Sequence, residues 1–141
     1  MDPATAAVAL KAGSAIGGAF ASRSQGIQEQ KNANLNAFIG RTRALQTDTA
    51  ARQSLSSELA SARNAFAANG DNPSVGTFGI LNEIRTAGDR NRRIAVGNEK
   101  SAANDYTQAG INARAKGQRG FVSGLAKAGP SLFQIASLAG A

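Results

Sequence analysis

The feature that most constrains this chain is a proline-free run from Ala4 to Ala68, which also lacks any cluster of Asn, Asp and Pro. Helices commonly end at a proline or at a glycine in a turn, so a run of this length can form one continuous helix. The next turn signal is the segment 69–74, with the sequence NGDNPS. The sequence therefore predicts a long first helix that ends at Gly70, a residue that can adopt a left-handed conformation.

The chain has few large side chains with which to build a thick core. Its 141 residues include six Phe, one Tyr, no Trp and sixteen Gly, and Ala dominates the 42% of residues that are hydrophobic. Residues that favour strands are few and do not alternate with polar ones. We therefore predict an all-α fold. The long helices form either an elongated hairpin or a bent rod, with apolar termini rich in Ala and Gly, and pack in a multi-copy assembly.

We divide the chain into four segments. Residues 1–70 combine an N-terminal segment rich in Ala and Gly with the first long helix, residues 71–76 form the turn, and residues 77–128 form the second long helix. Asn72 and Pro73, or Thr77 slightly later, can start that second helix. Pro130 is expected to break it and to leave a short apolar tail over residues 129–141.

Large apolar residues recur at helical spacing and predict a packing seam. In the first helix they follow steps of seven residues with one step of eleven and one of fourteen, in which Arg52 occupies the intermediate heptad position. In the second helix two of them precede a single tyrosine. The predicted seam consists of Phe20, Ile27, Phe38, Leu45, Leu59, Phe66, Leu81, Ile84 and Tyr106. Elsewhere the second helix offers only small residues at these spacings, which indicates close approach of helix backbones.

Two basic clusters are candidates for contact with an anionic partner. Sixteen Lys and Arg against nine Asp and Glu give the chain a formal charge of +7. The first cluster contains Arg85, Arg90, Arg92 and Arg93, and the second contains Arg114, Lys116 and Arg119. No aromatic residues are interleaved for base stacking, so DNA would be bound through its phosphates, without sequence specificity. A solvated helix face or an interface to an acidic protein surface fits the same residues better than DNA, and all three interpretations stay open.

Both ends of the chain are apolar. Small residues at four-residue intervals, Ala9, Gly13, Gly17 and Ala21, form a ladder used by helices that associate closely, in membranes or elsewhere. Asp2 and Lys11 interrupt the pattern of a signal peptide, so we interpret this segment as part of the mature protein. The residues predicted to contact a membrane or a partner protein are Gly13, Gly17, Phe20, Phe121, Leu125, Leu132 and Phe133.

The residues needed for most catalytic sites are missing. The sequence has neither Cys nor His, which removes thiolate ligands, the commonest metal ligand and the commonest general base. The carboxylates are scattered singly and do not pair with a nucleophile motif. We therefore predict a protein that is not an enzyme, with no catalytic residue, no cofactor and no metal site.

Several segments together resemble the small internal virion proteins, or ejection proteins, of short-tailed bacteriophages. The N-terminal segment AGSAIGGAFASRSQ leads into the long first helix, and the turn region reads NGDNPSVGTFGILNEI. The second helix carries a central Tyr in NEKSAANDYTQAGINARAKG, and the chain ends with the small-residue stretch FVSGLAKAGPSLFQIASLAG. The resemblance covers nearly the whole chain and lies in its architecture rather than in a catalytic or ligand motif.

The resemblance implies a protein stored inside the phage head, near the portal. Such a protein is present in several copies, contacts the portal or other core proteins, and leaves the particle at infection to help form a conduit for DNA through the host envelope. Two alternatives use the same helices. One is a permanent structural adaptor or core protein that stays in the particle, and the other is a small membrane-active helical protein.

Overall fold

The computed structural model describes residues 3–70 and 74–139, and within those residues all regular structure is helical. Helix α1 spans Pro3–Ala68 and helix α2 spans Val75–Ala139. The two helices pack against each other as a hairpin. The predicted all-α fold is therefore confirmed, and the hairpin rather than the bent rod is adopted.

Helix α1 ends where the turn signal predicted. Gly70 has a φ of 71°, the left-handed conformation that a residue without Cβ adopts at little cost. The backbone N–H of Asn69 donates to the carbonyl of Ala65 at 3.2 Å, and the N–H of Gly70 donates to the carbonyl of Ala67 at 3.2 Å. These bonds satisfy two of the carbonyls that the end of a helix leaves without a partner.

Helix α2 begins at Val75, two residues before the predicted start, because Ser74 caps it. The N–H of Ser74 donates to Oγ1 of Thr77 at 2.7 Å, and the N–H of Thr77 donates to Oγ of Ser74 at 3.3 Å. This reciprocal arrangement is a capping box in which Thr77 takes the place of the usual Glu or Gln. The alternative start at Asn72 and Pro73 lies outside the described residues.

Pro130 does not break α2, contrary to the prediction. The helix continues through it to Ala139, so the predicted separate tail is helical as far as that residue. A proline inside a helix removes one hydrogen bond, here to the carbonyl of Ala126, and disfavours the helical conformation of the residue before it. That preceding residue is Gly129, whose lack of a Cβ relieves part of the steric conflict.

The described chain divides into two compact units, each built from one segment of α1 and one of α2. Unit 1 combines Met1–Leu35 with Tyr106–Ala141, and unit 2 is the continuous stretch Asn36–Asp105. The buried residues with hydrophobic side chains are all alanines, namely Ala12, Ala19, Ala37, Ala44, Ala103 and Ala128. Each unit therefore has a thin core of small side chains.

In unit 1 the two helix backbones touch at glycines. A Cβ added to Gly26 would lie 2.8 Å from the carbonyl oxygen of Ala113 and 2.9 Å from Cα of Gly117. Ala19, seven residues before Gly26 on α1, contacts Gly124, which lies seven residues after Gly117 on α2. The pairing is antiparallel, and its closest points allow only small residues.

Unit 2 is packed in the same manner at its glycines but with larger partners toward the turn. Gly40 faces Ala103, where an added Cβ would lie 3.0 Å from the alanine Cβ. Gly88 faces Leu55, where an added Cβ would lie 2.5 Å from Cδ1 of the leucine. The contact at Gly88 is therefore made by the flexible end of a side chain, not by backbone.

The residues of the predicted seam differ in their position relative to the contact between the two helices. Those near the turn are partly buried, namely Leu59, Phe66, Leu81 and Ile84. The others are exposed, with exposed fractions of 57% for Phe20, 39% for Ile27, 66% for Phe38, 70% for Leu45 and 45% for Tyr106. These five residues lie outside the contact within the hairpin, and their packing against a partner stays a prediction.

The true contact line on α1 lies one residue earlier at each of those positions. Ala19, Gly26, Ala37 and Ala44 are buried where Phe20, Ile27, Phe38 and Leu45 are exposed. Heptad spacing is identical for both sets, so periodicity alone does not distinguish them. Small side chains face inward because they let the two backbones approach closely. This close approach gains dispersion contacts along the contact line.

Replacing Gly26 by Ala is expected to destabilise the protein, because the added methyl group meets backbone atoms that cannot move independently. Overpacking of this kind typically costs about 1–3 kcal/mol, against about 1 kcal/mol gained from the higher helix propensity of Ala. Urea unfolding followed by circular dichroism measures the net change in the free energy of unfolding.

Gly17 is the matched control, since an added Cβ there has nothing within 4 Å. Gly17→Ala is expected to stabilise by about 0.5–1 kcal/mol. The change in the free energy of unfolding for Gly88→Ala should lie between those for Gly26→Ala and Gly17→Ala, because the end of the Leu55 side chain can rotate away. Equal stabilisation by all three substitutions would contradict the close backbone contact at Gly26.

Candidate functional site

The most polar point of the unit 2 contact line is an ion-pair network that joins α1 to α2. Nη1 of Arg92 donates to Oδ1 of Asp48, which lies on the other helix. Nε of Arg52 donates to Oδ2 of Asp48 at 2.8 Å, and Nε of Arg92 lies 3.3 Å from Oδ1 of Asp89. Asp48 thus accepts from two guanidinium groups, one on each helix.

The helical spacing of these residues explains why they meet. Asp48 and Arg52 are four residues apart on α1, and Asp89 and Arg92 are three apart on α2, so each pair shares a helix face. The Arg92 side chain is only 17% exposed, which places its guanidinium between the helices. No buried side-chain N or O atom in the described part of the chain lacks a hydrogen-bond partner.

The network changes the protonation equilibria of its members. The hydrogen bond from Arg92, followed by that from Arg52, lowers the pKa of Asp48 below its ordinary value, and partial burial opposes this shift only in part. The hydrogen bond to Asp48 raises the pKa of Arg92 above its ordinary value. Both shifts favour the charged pair, so Asp48 is ionised and Arg92 protonated throughout the neutral pH range.

The position of Arg92 corrects the prediction made for the first basic cluster. Arg92 was expected to contact DNA or an acidic partner, yet it is turned toward the hairpin and paired with Asp48 and Asp89. Arg85, Arg90 and Arg93 are exposed and do come together, with Asp89, around a groove of about 570 Å³. As contacts to a partner these three residues stay a prediction.

A second groove in unit 2, of about 530 Å³, was not foreseen from the sequence. Its lining combines five basic residues, the carboxylate of Asp48 and three apolar residues. The basic residues are Arg41, Arg52, Arg92, Arg93 and Lys100, and the apolar residues are Ala44, Leu45 and Val96. We call this site the basic groove.

A signal for the basic groove was present in the spacing of the sequence. Arg41, Leu45, Asp48 and Arg52 follow steps of three and four on α1, as neighbours on one helix face do. On α2, Arg93, Val96 and Lys100 follow the same rule. The two sets lie more than forty positions apart in the sequence, so only the antiparallel pairing of the helices brings them together.

The second predicted basic cluster, in unit 1, is exposed but does not converge on one groove. Arg114 lines a narrow groove of about 50 Å³ with Arg23, whereas Lys116 lines another of about 160 Å³ beside Gly117. Arg119 is exposed. A role of these residues in contacting DNA or an acidic partner stays a prediction.

The apolar residues predicted to contact a membrane or a partner differ in their surroundings. The rings of Phe20 and Phe121 meet edge to face, with centroids 5.4 Å apart, and the guanidinium of Arg23 lies 5.3 Å from the centre of the Phe121 ring. Phe121 is therefore partly buried within unit 1. Leu125 and Phe133 are exposed, at 41% and 80%, while the side chain of Leu132 lies outside the described residues.

The small-residue ladder of the N-terminal segment lies on the surface, not between the helices. Ala9, Gly13, Gly17 and Ala21 are all exposed, and a Cβ added to Gly13 or Gly17 would have nothing within 4 Å. As a contact to a membrane or to another helix of an assembly, the ladder stays a prediction.

Residues 3–70 and 74–139 contain no group of three or more acidic side chains placed to hold a metal ion. Within the same ranges, neither helix has a stretch both long and apolar enough to cross a bilayer.

Comparison of the chain with protein-family models, with curated protein sequences and with solved structures gave no match.

Asp48→Asn is expected to lower the melting temperature at neutral pH, because it removes the carboxylate that pairs with the partly buried Arg92 across the two helices and leaves only the longer contact to Asp89. The folded-state pKa of Asp48 is depressed, so its contribution is present above the ordinary aspartate pKa of about 3.9 and is lost as the pH falls through the lower folded value. The difference between wild type and variant should therefore shrink below about pH 4.

Thermal unfolding followed by circular dichroism between neutral and acidic pH measures this effect. Glu58→Gln is the control, since it neutralises an exposed carboxylate of the same helix outside the network. If both variants lost the same stability at every pH, the network would have no specific role.

Proposed function

We propose that this chain is a non-enzymatic virion protein of a short-tailed bacteriophage, stored near the portal and released at infection to help conduct DNA through the host envelope. It assembles with further copies and with portal or core proteins. The proposal joins the resemblance of the sequence segments to one structural observation. That observation is the position of many of the large apolar side chains, which lie exposed outside the contact between the two helices.

This position favours an assembly protein because the exposed side chains have no use within the hairpin. In unit 1 they include Leu10, Val122 and Phe133, with exposed fractions of 75%, 64% and 80%. In unit 2, Phe38 and Phe78 are 66% and 63% exposed. Isolated exposed apolar residues are ordinary, but many of them around a core of alanines are typical of surfaces that become buried on association.

The contact between the helices supports the same proposal in a second way. Because small residues form the contact line, the two helices of each unit lie close together, and many such hairpins can be packed side by side. The net charge of +7 suits a protein that is stored beside DNA and makes phosphate contacts without sequence preference. The proposed function thus needs no catalytic site.

Self-association is the first expected outcome. Phe38→Glu should weaken it at least about tenfold, because a charge would be buried where an exposed phenyl ring is otherwise covered. Sedimentation equilibrium measures the association constant, and circular dichroism verifies that the helices remain. Asn36→Glu adds the same charge at an exposed polar position of α1 and serves as the control. A wild-type protein that stays monomeric at high concentration would contradict the assembly proposal.

The location in the virion is tested on particles of the phage that carries the gene. Quantitative mass spectrometry compares intact particles with particles emptied of DNA. We expect the chain in the first and its loss from the second. Retention in emptied particles would instead indicate a permanent adaptor or core protein. Absence from both would reject the virion role and leave the membrane-active alternative, for which leakage of liposomes by the purified protein is the test.

A further inference from the structure

The basic groove of unit 2 combines two properties that seldom occur together on an ordinary helix surface. Its lining holds five basic side chains and the carboxylate of Asp48, which pairs with Arg52 and Arg92, so basic groups outnumber acidic ones. The same lining contains Leu45, which is 70% exposed, beside Ala44 and Val96. The site therefore places exposed apolar surface next to cationic side chains.

We infer that the basic groove binds an acidic amphipathic helix of a partner protein. An apolar side chain of that helix lies on Leu45 and Val96, and carboxylates on either side of it pair with Arg93, Lys100 and Arg52. This is the helix-in-groove mode of recognition, in which the apolar anchor contributes affinity and the charges set orientation and partner choice. The inference does not depend on the proposed virion role.

The charge of the groove disfavours a second copy of this chain as the occupant. The chain itself carries a charge of +7, so a copy approaching the groove brings mostly like charge to a site that is already basic. Like charges placed opposite each other at an interface suppress a wrong partner. An acidic segment of another protein is therefore the occupant that the charge favours.

The apolar part of the groove favours a protein over a nucleic acid. Arg and Lys bind phosphates through charge and hydrogen bonds, and such contacts gain nothing from an exposed leucine beside them. An amphipathic helix uses both parts of the site, since it covers Leu45 and neutralises the basic side chains. Burial of an exposed leucine side chain contributes a gain that a duplex cannot provide.

The ion-pair network orders two of the basic side chains that line the groove. Asp48 holds the guanidinium groups of Arg52 and Arg92 through hydrogen bonds from both helices. A guanidinium already ordered loses less side-chain entropy when a carboxylate binds to it. The network therefore fixes one side of the groove, while Arg93 and Lys100 remain at its exposed edge.

The test uses a labelled synthetic amphipathic peptide with leucines on one helix face and glutamates on both sides of that face. Fluorescence anisotropy measures its dissociation constant for the full-length protein, and a labelled DNA duplex is the second probe. Arg93→Glu is expected to weaken peptide binding about tenfold or more, since it replaces an attraction by a repulsion. Leu45→Ala should weaken peptide binding several-fold and leave DNA binding unchanged.

The matched control is Arg63→Glu, which makes the same change of charge at an exposed position of unit 2 away from the groove. Circular dichroism of every variant verifies that the hairpin is intact. Three results would overturn the inference: no binding of the peptide to the wild type at low ionic strength, equal weakening by Arg63→Glu and Arg93→Glu, or peptide affinity unaffected by Leu45→Ala. Strong binding of the duplex combined with any of these would assign the groove to nucleic acid.

Discussion

The close approach of the two helix backbones is the constraint on which the rest of the structure depends. At Gly26 and Gly117 there is no room for even one methyl group, because backbone atoms of the facing helix lie within 3 Å of an added Cβ. Dispersion contacts between backbones therefore replace the interlocking of large side chains. A chain with few aromatic residues can stabilise a hairpin in this way without a thick core.

The exposure of several large apolar side chains follows from the close approach of the backbones. A contact line occupied by Ala and Gly leaves no space for phenylalanine or leucine between the helices, so Phe38 and Leu45 lie beside the line, in solvent. Where the line does hold larger groups, in unit 2, it accommodates Leu55 and the pair formed by Asp48 and Arg92. The same feature that joins the helices thus creates the apolar and basic surfaces on which the proposed interactions rest.

The ion-pair network illustrates the balance between stability and specificity. Partly buried pairs often contribute little net stability, because desolvation of both ions opposes their attraction. Their removal is nevertheless costly when one charge is left without a partner. Among alanines that can slide past one another, a pair with fixed geometry can distinguish one register from its neighbours, and we expect Asp48 with Arg92 to act in this way in unit 2.

The sequence alone determined the helical character, the end of α1 and the left-handed Gly70, because these depend on local conformational preferences, but not the continuation of α2 through Pro130. It also indicated the basic character of the surface, including the exposed Arg85, Arg90 and Arg93 of its first cluster. It did not determine which of two adjacent heptad stripes faces inward, since Ala37 and Phe38 share one period and differ only in size. The tertiary structure decided this, and with it the pairing of Arg92 and the joining of two distant basic faces into one groove. Those outcomes depend on how closely two backbones can approach, which no single helix specifies.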